Sequence, residues 1–118
     1  MSVGEIADCL FCRIVAGEVP ADIVADNEHT VAFRDINAQA PTHVLVIPRR
    51  HEPDIGSLVA AAPEEAVALL DDARDIAEAE GHGDNYRLVF NTGAEAGQTV
   101  FHCHAHVLAG RTFRWPPG

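Results

Sequence analysis

Lysine is absent from this sequence of 118 residues, in which all eight basic residues are arginine and 18 residues are acidic. The formal net charge of −10 repels polyanions, so we do not expect a nucleic-acid-binding module. A small phosphate ligand is compatible with this charge, because a few local donors can bind it inside a pocket.

Long hydrophobic runs are absent as well. No apolar run approaches the ~20 residues that a membrane span needs. The opening Met1-Ser2-Val3-Gly4-Glu5 lacks the basic segment of a secretory signal peptide. We therefore expect a soluble, cytoplasmic protein. Its length fits one domain over residues 1–118 with a core of its own, ending in a C-terminal arm over residues 111–118.

Cysteine is scarce, with Cys9, Cys12 and Cys103 as its only occurrences. An odd count that includes a Cys-x-x-Cys pair does not fit a secreted disulfide framework, whereas in a cytosolic protein it indicates metal binding or redox chemistry. The redox interpretation requires a strand before the pair, and the sequence predicts none there. Two inert, buried cysteines are the third alternative. We expect Cys103 to be a packing residue.

The apolar pattern predicts an α+β fold, namely an antiparallel five-stranded sheet with one main helix and a short N-terminal helix. The predicted strands span Ile23–Ala25, Thr30–Arg34, Val44–Ile47, Tyr86–Asn91 and Thr99–Leu108, and the helices span Leu10–Ala16 and Pro63–Glu80. The main helix carries an apolar stripe of Ala66, Leu69, Leu70, Ala73, Ile76 and Ala77.

Three histidines alternate along the last predicted strand. On a strand, His102, His104 and His106 share one face in steps of roughly 6.6 Å. The intervening Phe101, Cys103, Ala105 and Val107 are then expected to face the core.

Three interpretations of this histidine face compete. It is a surface strand that happens to carry histidines, or it holds a catalytic metal, or it performs nucleophilic catalysis at phosphorus. In the last case one imidazole forms a covalent intermediate and a neighbour protonates the leaving group. An aspartate inside the run would have favoured the metal, and there is none.

The segment 97–108 resembles the signature of the histidine-triad (HIT) family, His-x-His-x-His followed by two apolar residues. The ending Trp115-Pro116-Pro117-Gly118 looks like the C-terminus of the Hint branch, the purine nucleoside phosphoramidases. Segments 10–14, 20–21 and 40–48 are similar to the same family, so the resemblance covers nearly the whole chain.

This resemblance implies an enzyme that cleaves purine nucleoside phosphoramidates or related AMP derivatives through a nucleotidyl intermediate on His104. It implies that His106 contacts the phosphate and assists the leaving group, and that His43 supports the triad. It assigns the base pocket to Phe11, Ile14, Phe33, Ile36 and Leu45, the ribose hydroxyls to Asp35, and the phosphate to Asn91, Gln98 and Thr99 beside Gly97. Without the resemblance, Asp35 would be read as a turn cap and Asn91 as a strand end.

The Cys9-x-x-Cys12 pair resembles the bacterial family members that carry a structural zinc. That pattern supplies His51 and His102 as the remaining ligands of a closed four-ligand site. The resemblance also implies a homodimer whose sheet continues across the subunits and whose Trp115 reaches the partner's pocket.

Two alternative functions stay open. One is a dinucleoside polyphosphate hydrolase of the same family, against which the Trp-Pro-Pro-Gly ending argues. The other is a nucleotide-binding regulatory protein that acts through protein partners.

Overall fold

The structure of the protein is a computed structural model that describes residues 8–118. The opening segment, on which the expectation of no signal peptide rests, lies outside the described residues. Three helices and five strands follow one another as α1 (Leu10–Val15), β1 (Ile23–Asp26), β2 (Thr30–Arg34), β3 (Thr42–Pro48), α2 (Ile55–Ala61), α3 (Pro63–Ala79), β4 (Tyr86–Val89) and β5 (Ala105–Ala109), with a 3₁₀ turn at Ala94–Ala96. Within the described range, none of the helices combines the length and the hydropathy that crossing a membrane requires.

The five strands form one antiparallel sheet in the order β1-β2-β3-β5-β4. This confirms the predicted α+β fold with an antiparallel five-stranded sheet. The central strand β3 is buried along its whole length, because it has neighbours on both edges and is covered on both faces.

The two faces of the sheet have different covers. Val44 and Val46 of β3 pack with α3 residues such as Leu69 and Ala73 in the larger core cluster. Leu45 and Ile47 point to the opposite face, where they pack in a second cluster with Phe11, Val31 and Phe33. This alternation follows from the two-residue period of a strand. The second face, covered by the short helix α1, carries the candidate site.

Several element boundaries differ from prediction. Helix α2 was not predicted, because Gly56 and Ser57 interrupt its apolar pattern; it begins after Asp54, whose side chain accepts a hydrogen bond from the Ser57 amide at 2.8 Å. Strand β4 ends two residues earlier than predicted, at Val89. Leu70, expected in the apolar stripe of α3, is 45% exposed.

The prediction of one strand over Thr99–Leu108 is wrong, since only Ala105–Ala109 forms ladder hydrogen bonds. The register pairs Val46 with Ala105, so Pro48 would face Cys103. Proline has no N–H to donate and the ladder stops there. The amide of Cys103 instead donates to the carbonyl of Glu52 at 2.7 Å.

His102 and His104 therefore precede the strand, and only His106 lies within it. The alternation of side-chain direction survives without the ladder, because Cys103, Ala105 and Val107 belong to the larger core cluster while His104 and His106 line the cavity. Phe101 is the exception: it was expected in the core and is 51% exposed.

Candidate active site and metal centre

A cavity of about 410 Å³ opens on the face of the sheet opposite α3. The structure brings nine of the predicted nucleotide-binding and catalytic residues to its walls, namely Phe11, Ile14, Phe33, Asp35, Ile36, Leu45, Thr99, His104 and His106. Sequence reasoning gave no role to the turn Val19–Asp22 or to Leu10 and Val100, which also line it. The only signal for them was that Leu10, Pro20, Ala21 and Val100 lie in segments that resemble the family.

The register of the sheet builds the apolar wall of this cavity. Phe33 of β2 pairs with Leu45 of β3, and Leu45 pairs in turn with His106 of β5. The ring of Phe11 packs edge-on against Phe33 at 5.5 Å and against His104 at 5.1 Å. A flat apolar ligand on this wall would consequently lie directly beside the histidines.

Four predicted ligand contacts lie outside the lining of this cavity: Asn91, Gly97, Gln98 and Trp115. Gln98 is only 3% exposed, and its side chain accepts from the Gly93 amide and donates to the carbonyls of Pro53 and Val100. Its amide group is thus occupied in holding a turn together. Gly97 has a φ of +99°, a backbone conformation that requires glycine, and Trp115 is 81% exposed.

His104 presents one ring nitrogen to the cavity as a base. Its Nδ1 lies 2.8 Å from the carbonyl oxygen of His102. A carbonyl can only accept, so Nδ1 carries the proton and Nε2 keeps its lone pair. Since His104 is 8% exposed and lines the cavity, the Nε2 lone pair of its neutral ring faces the cavity and is shielded from bulk water.

Asp35 and His43 come together with His106 at one end of the cavity. The Nε2 of His43 lies 2.9 Å from Nδ1 of His106 and 3.3 Å from Oδ2 of Asp35. Burial lowers the pKa of His43, although the Asp35 carboxylate opposes this effect. Burial likewise lowers the pKa of His106 to about 4, and the charges of His104 and His43 act in the same direction.

These three residues are close enough to hold a metal ion, but the hydrogen bonds argue against one. The backbone amide of Gln39 donates to Nδ1 of His43 at 3.0 Å. Nε2 of neutral His43 therefore carries the ring proton and offers no lone pair to a metal. Bringing Asp35 to the histidines supplies the aspartate that the sequence run lacks, yet the geometry does not favour a catalytic metal here.

A second cluster joins Cys9, Cys12, His51 and His102, whose ligand atoms all lie within 4.8 Å of one another. The Nδ1 of His102 lies 3.4 Å from Sγ of Cys9, 3.5 Å from Sγ of Cys12 and 3.2 Å from Nδ1 of His51. The edges of a tetrahedral zinc site with these donors are about 3.3–3.8 Å. The four side chains therefore fit a closed Cys₂His₂ zinc site.

The ring of His102 is prepared for such a role. Its Nε2 donates to the carbonyl of Pro48 at 2.8 Å, which leaves Nδ1 with a lone pair toward the cysteines. Burial lowers the pKa of His102 to about 4, so the ring is neutral near pH 7 and able to bind a cation.

The metal centre and the cavity share structural elements. The carbonyl of His102 orients His104, while the ring of His102 belongs to the metal cluster. Phe11 lies between Cys9 and Cys12 and contacts the rings of both histidines. Any ion bound by the cluster would fix the apolar wall and His104 relative to each other.

The fold and these side chains define a small α+β protein with histidine chemistry in a ligand pocket. A family model described as the HIT domain matches residues 16–113. An uncharacterised HIT-like protein of Synechocystis is 48% identical over 114 residues, covering 94% of this chain and 97% of that protein. A 14 kDa zinc-binding protein of Zea mays is 42% identical over 113 residues, covering 92% and 87%. A HIT family hydrolase from Legionella pneumophila has a TM-score of 0.90 at 46% identity, covering 94% of this chain and all of that one.

The chain therefore belongs to the HIT domain family, which confirms the family resemblance of the sequence.

Proposed function

We propose that this protein is a purine nucleotide hydrolase or nucleotidyl transferase that cleaves nucleoside phosphoramidates through a covalent intermediate on His104. The observation that carries the proposal is the hydrogen bond from His104 Nδ1 to the carbonyl of His102, which leaves Nε2 as a nucleophile facing the cavity. The similarity to a HIT family hydrolase supports hydrolysis as the reaction class.

The cavity offers a separate environment for each part of a nucleotide. The apolar wall of Phe11, Phe33 and Leu45 suits the purine. Asp35 lies at the same cavity and is the carboxylate that would accept the ribose hydroxyls. His104 and His106, whose ring centroids are 5.0 Å apart, would then flank the α-phosphorus.

The reaction is a double displacement at phosphorus. The lone pair of His104 Nε2 forms a bond to phosphorus as the P–N bond of the substrate breaks and the amine leaves. Water then attacks phosphorus, releases AMP from His104 and gives up one proton to solvent. Transfer to another nucleophile in place of water would make the protein a transferase.

We also propose a structural zinc at Cys9, Cys12, His51 and His102, and a homodimer in which Trp115 approaches the partner's pocket. The four-ligand geometry and the zinc-binding name of the maize relative support the metal. Zinc would cross-link α1 to the segment 102–106, which carries the three histidines and which we call the histidine segment. Protein side chains would occupy all four positions of a tetrahedral site.

A substrate panel tests the function. We expect adenosine or guanosine phosphoramidates with amine leaving groups to be turned over with a higher kcat/KM than diadenosine polyphosphates. The assay is steady-state release of the amine or nucleotide for each substrate. A reversed order would identify a dinucleoside polyphosphate hydrolase, and AMP binding without any turnover would identify a binding protein.

A further inference from the structure

We propose that His106 works as an electrically neutral hydrogen-bond donor, held in that form by His43 and the backbone amide of Gln39, and not as a cationic acid. The inference rests on the proposed function and specifies how one of its residues acts. It assigns a positioning role to His43 and to a backbone group that no sequence motif marks.

The ring of His43 is held in one tautomer by a backbone amide. The backbone N–H of Gln39 donates to its Nδ1 at 3.0 Å. An amide N–H has no lone pair to offer and can only donate, so Nδ1 must be the acceptor. The single ring proton of neutral His43 is therefore on Nε2.

The tautomer of His43 determines the tautomer of His106. The Nε2 of His43 lies 2.9 Å from Nδ1 of His106. Since Nε2 of His43 carries a proton, it donates a hydrogen bond, and Nδ1 of His106 must be the acceptor. The ring proton of His106 is then on its own Nε2. Asp35 Oδ2 lies 3.3 Å from His43 Nε2 and can accept a hydrogen bond from the same proton. This contact does not change which nitrogen of His106 carries its ring proton.

The sheet explains why these groups meet. In the β3–β5 ladder His43 pairs with Leu108 and Leu45 pairs with His106, so the two histidines are diagonal neighbours on the cavity face. The amide of Asp35 donates to the carbonyl of His43 at 3.0 Å, and the loop that follows returns Gln39 onto the ring.

Neither the ring of His43 nor that of His106 can gain a second proton without losing a hydrogen bond. A second proton on His43 would face the Gln39 amide, and one on His106 would face the N–H of His43. His43 is only 5% exposed, so water cannot readily replace the lost partner.

The electrostatic surroundings agree with this geometry. The charged or titratable groups around His106 are His104, His43 and Asp35. Only Asp35 favours a charged ring, and burial outweighs it, so that the pKa of His106 falls to about 4. The ring of His106 is consequently neutral near pH 7.

A neutral donor stabilises negative charge on the phosphate oxygens and keeps its proton throughout, as neutral imidazole does at developing oxyanions elsewhere. The leaving nitrogen must then carry a proton taken up from solvent, in the form of the substrate that is protonated on nitrogen. As the P–N bond breaks, its electron pair goes to this nitrogen, and a neutral amine departs.

The decisive experiment is ¹⁵N NMR of the histidine rings in the ligand-free protein and with AMP, across about pH 5 to 9. We expect His106 to keep a protonated Nε2 and a bare Nδ1 throughout. Conversion of His106 to the doubly protonated ring inside this window, with or without AMP, would overturn the inference.

Gln39→Pro removes the amide hydrogen, and Ala38→Pro is the matched control, which stiffens the same loop and keeps that hydrogen. In Gln39→Pro we expect His43 to accept a proton on Nδ1 and the His106 signals to become a mixture of tautomers. Ala38→Pro should keep the wild-type tautomer pattern. Identical spectra for the two variants would contradict the proposal, and the wild-type spectra decide it if Gln39→Pro does not fold.

His106→Asn supplies a second, independent readout, because asparagine retains a neutral N–H donor and cannot become a cation. We expect it to keep kcat within about tenfold of wild type, whereas His106→Ala loses about 100-fold or more. The loss in His106→Ala should be similar for amine and for nitrophenolate leaving groups. A loss confined to amines would show a proton-donating acid instead.

If no nucleotide substrate is turned over at all, the proposed function fails. The tautomers of the ligand-free protein still decide this inference in that case.

Discussion

At the scale of single residues, the histidines around the cavity differ in chemistry because backbone atoms select which ring nitrogen carries the proton. A carbonyl fixes the proton on one nitrogen of His102 and of His104, and an amide excludes it from one nitrogen of His43. In the proposed function, the same kind of side chain would thereby serve as metal ligand, nucleophile and positioning group. Sequence spacing identifies these residues, whereas their tautomers depend on which backbone groups the fold brings to each ring.

Replacement of the nucleophile is the first prediction at this scale. His104→Ala should lower turnover of an adenosine phosphoramidate by several orders of magnitude, because the variant has no group to form the covalent intermediate. Nucleotide binding should stay measurable, since the apolar wall and Asp35 are unchanged. His29→Ala, in a turn outside the cavity lining, is the matched control. Retention of more than about a tenth of wild-type kcat would disprove the role of His104.

Family resemblance predicted most of the cavity residues but could not reveal how Gln98 is used. Its amide is bonded to three backbone partners, of which Gly93 and Val100 lie in its own loop and Pro53 lies before α2, and this depends on the fold that brings these groups to it. Similarly, the proximity of Asp35 and His43 follows from the register that pairs Arg34 with Val44. Neither the partners of Gln98 nor the proximity of Asp35 to His43 can be predicted from the spacing of residues along the sequence.

At the scale of elements, periodicity predicted the main helix well because α3 carries a long apolar stripe, and short apolar runs bounded by turns predicted the first four strands. It failed for residues 99–104, since side chains can alternate between two faces without a ladder partner. Pro48 decides the outcome: it ends β3 without an N–H, and the chain before Ala105 turns toward Glu52 instead. This departure places His102 next to Cys9, Cys12 and His51, while His106 stays on the sheet.

Helix α3 is attached at its C-terminal end by Glu80, which accepts from both terminal nitrogens of Arg34 at 2.8 and 3.2 Å and from Thr42 at 3.3 Å. The hydrogen bond from Arg34 lowers the pKa of Glu80, with the charge of Arg34 acting in the same direction. We predict that Glu80→Gln lowers the free energy of unfolding by about 1 kcal/mol at pH 7, the upper end for a partly exposed pair.

The sign of the pH dependence follows from the lowered pKa. The contribution of Glu80 is fully present above the unfolded-state pKa of about 4.3 and is lost as pH falls through the lower folded-state pKa. The gap between wild type and Glu80→Gln in urea unfolding should therefore close in acid. Glu78→Gln, exposed on the same helix, serves as the control. A gap that stays constant down to low pH would contradict this account.

A zinc ion held by Cys9, Cys12, His51 and His102 would tie α1 to the histidine segment 102–106, which makes zinc removal a prediction about this element. We expect purified protein to contain about one equivalent of zinc, and chelation to lower Tm more than it lowers the initial rate. The reason is that the four protein ligands leave no open position for substrate. Less than about a tenth of an equivalent by elemental analysis would contradict the assignment.

Two cysteine variants separate the metal from packing. Cys9→Ala removes a ligand and should abolish both the zinc content and the sensitivity of Tm to chelator. Cys103→Ala removes a buried side chain from the larger core cluster and should keep both. If the two variants lose stability but neither loses zinc, Cys9 is not a ligand.

At the scale of the whole molecule, β1 and β4 are the edge strands of the sheet that residues 8–118 form, and no further strand among these residues pairs with their outer edges. Val67 and Leu70 of α3 are 59% and 45% exposed, and Trp115 is 81% exposed. An isolated subunit with these apolar side chains in water gains from burying them against a second copy of the chain. The composition of the tail, with two prolines after its tryptophan, favours an extended arm.

We therefore predict a homodimer whose C-terminal arm selects among leaving groups on the partner subunit. Deletion of residues 114–118 should change the relative kcat/KM values across a series of amine leaving groups far more than it changes the affinity for AMP. The reason is that the base and ribose would be bound by the cavity of a single subunit. Trp115→Ala in the full-length chain distinguishes loss of the indole from loss of the arm.

Sedimentation at micromolar concentration tests whether the protein is a dimer. A monomer at that concentration would contradict the prediction that the arm acts on a partner subunit. In the dimer, burial of Trp115 should shift its fluorescence to shorter wavelengths, and because Trp115 is the sole tryptophan, the emission reports on the arm alone. Relative rates that stay unchanged after the deletion, in a protein that sediments as a dimer, would mean that the arm holds subunits together without touching the substrate. Changed relative rates together with unchanged AMP affinity would place the indole beside the leaving group.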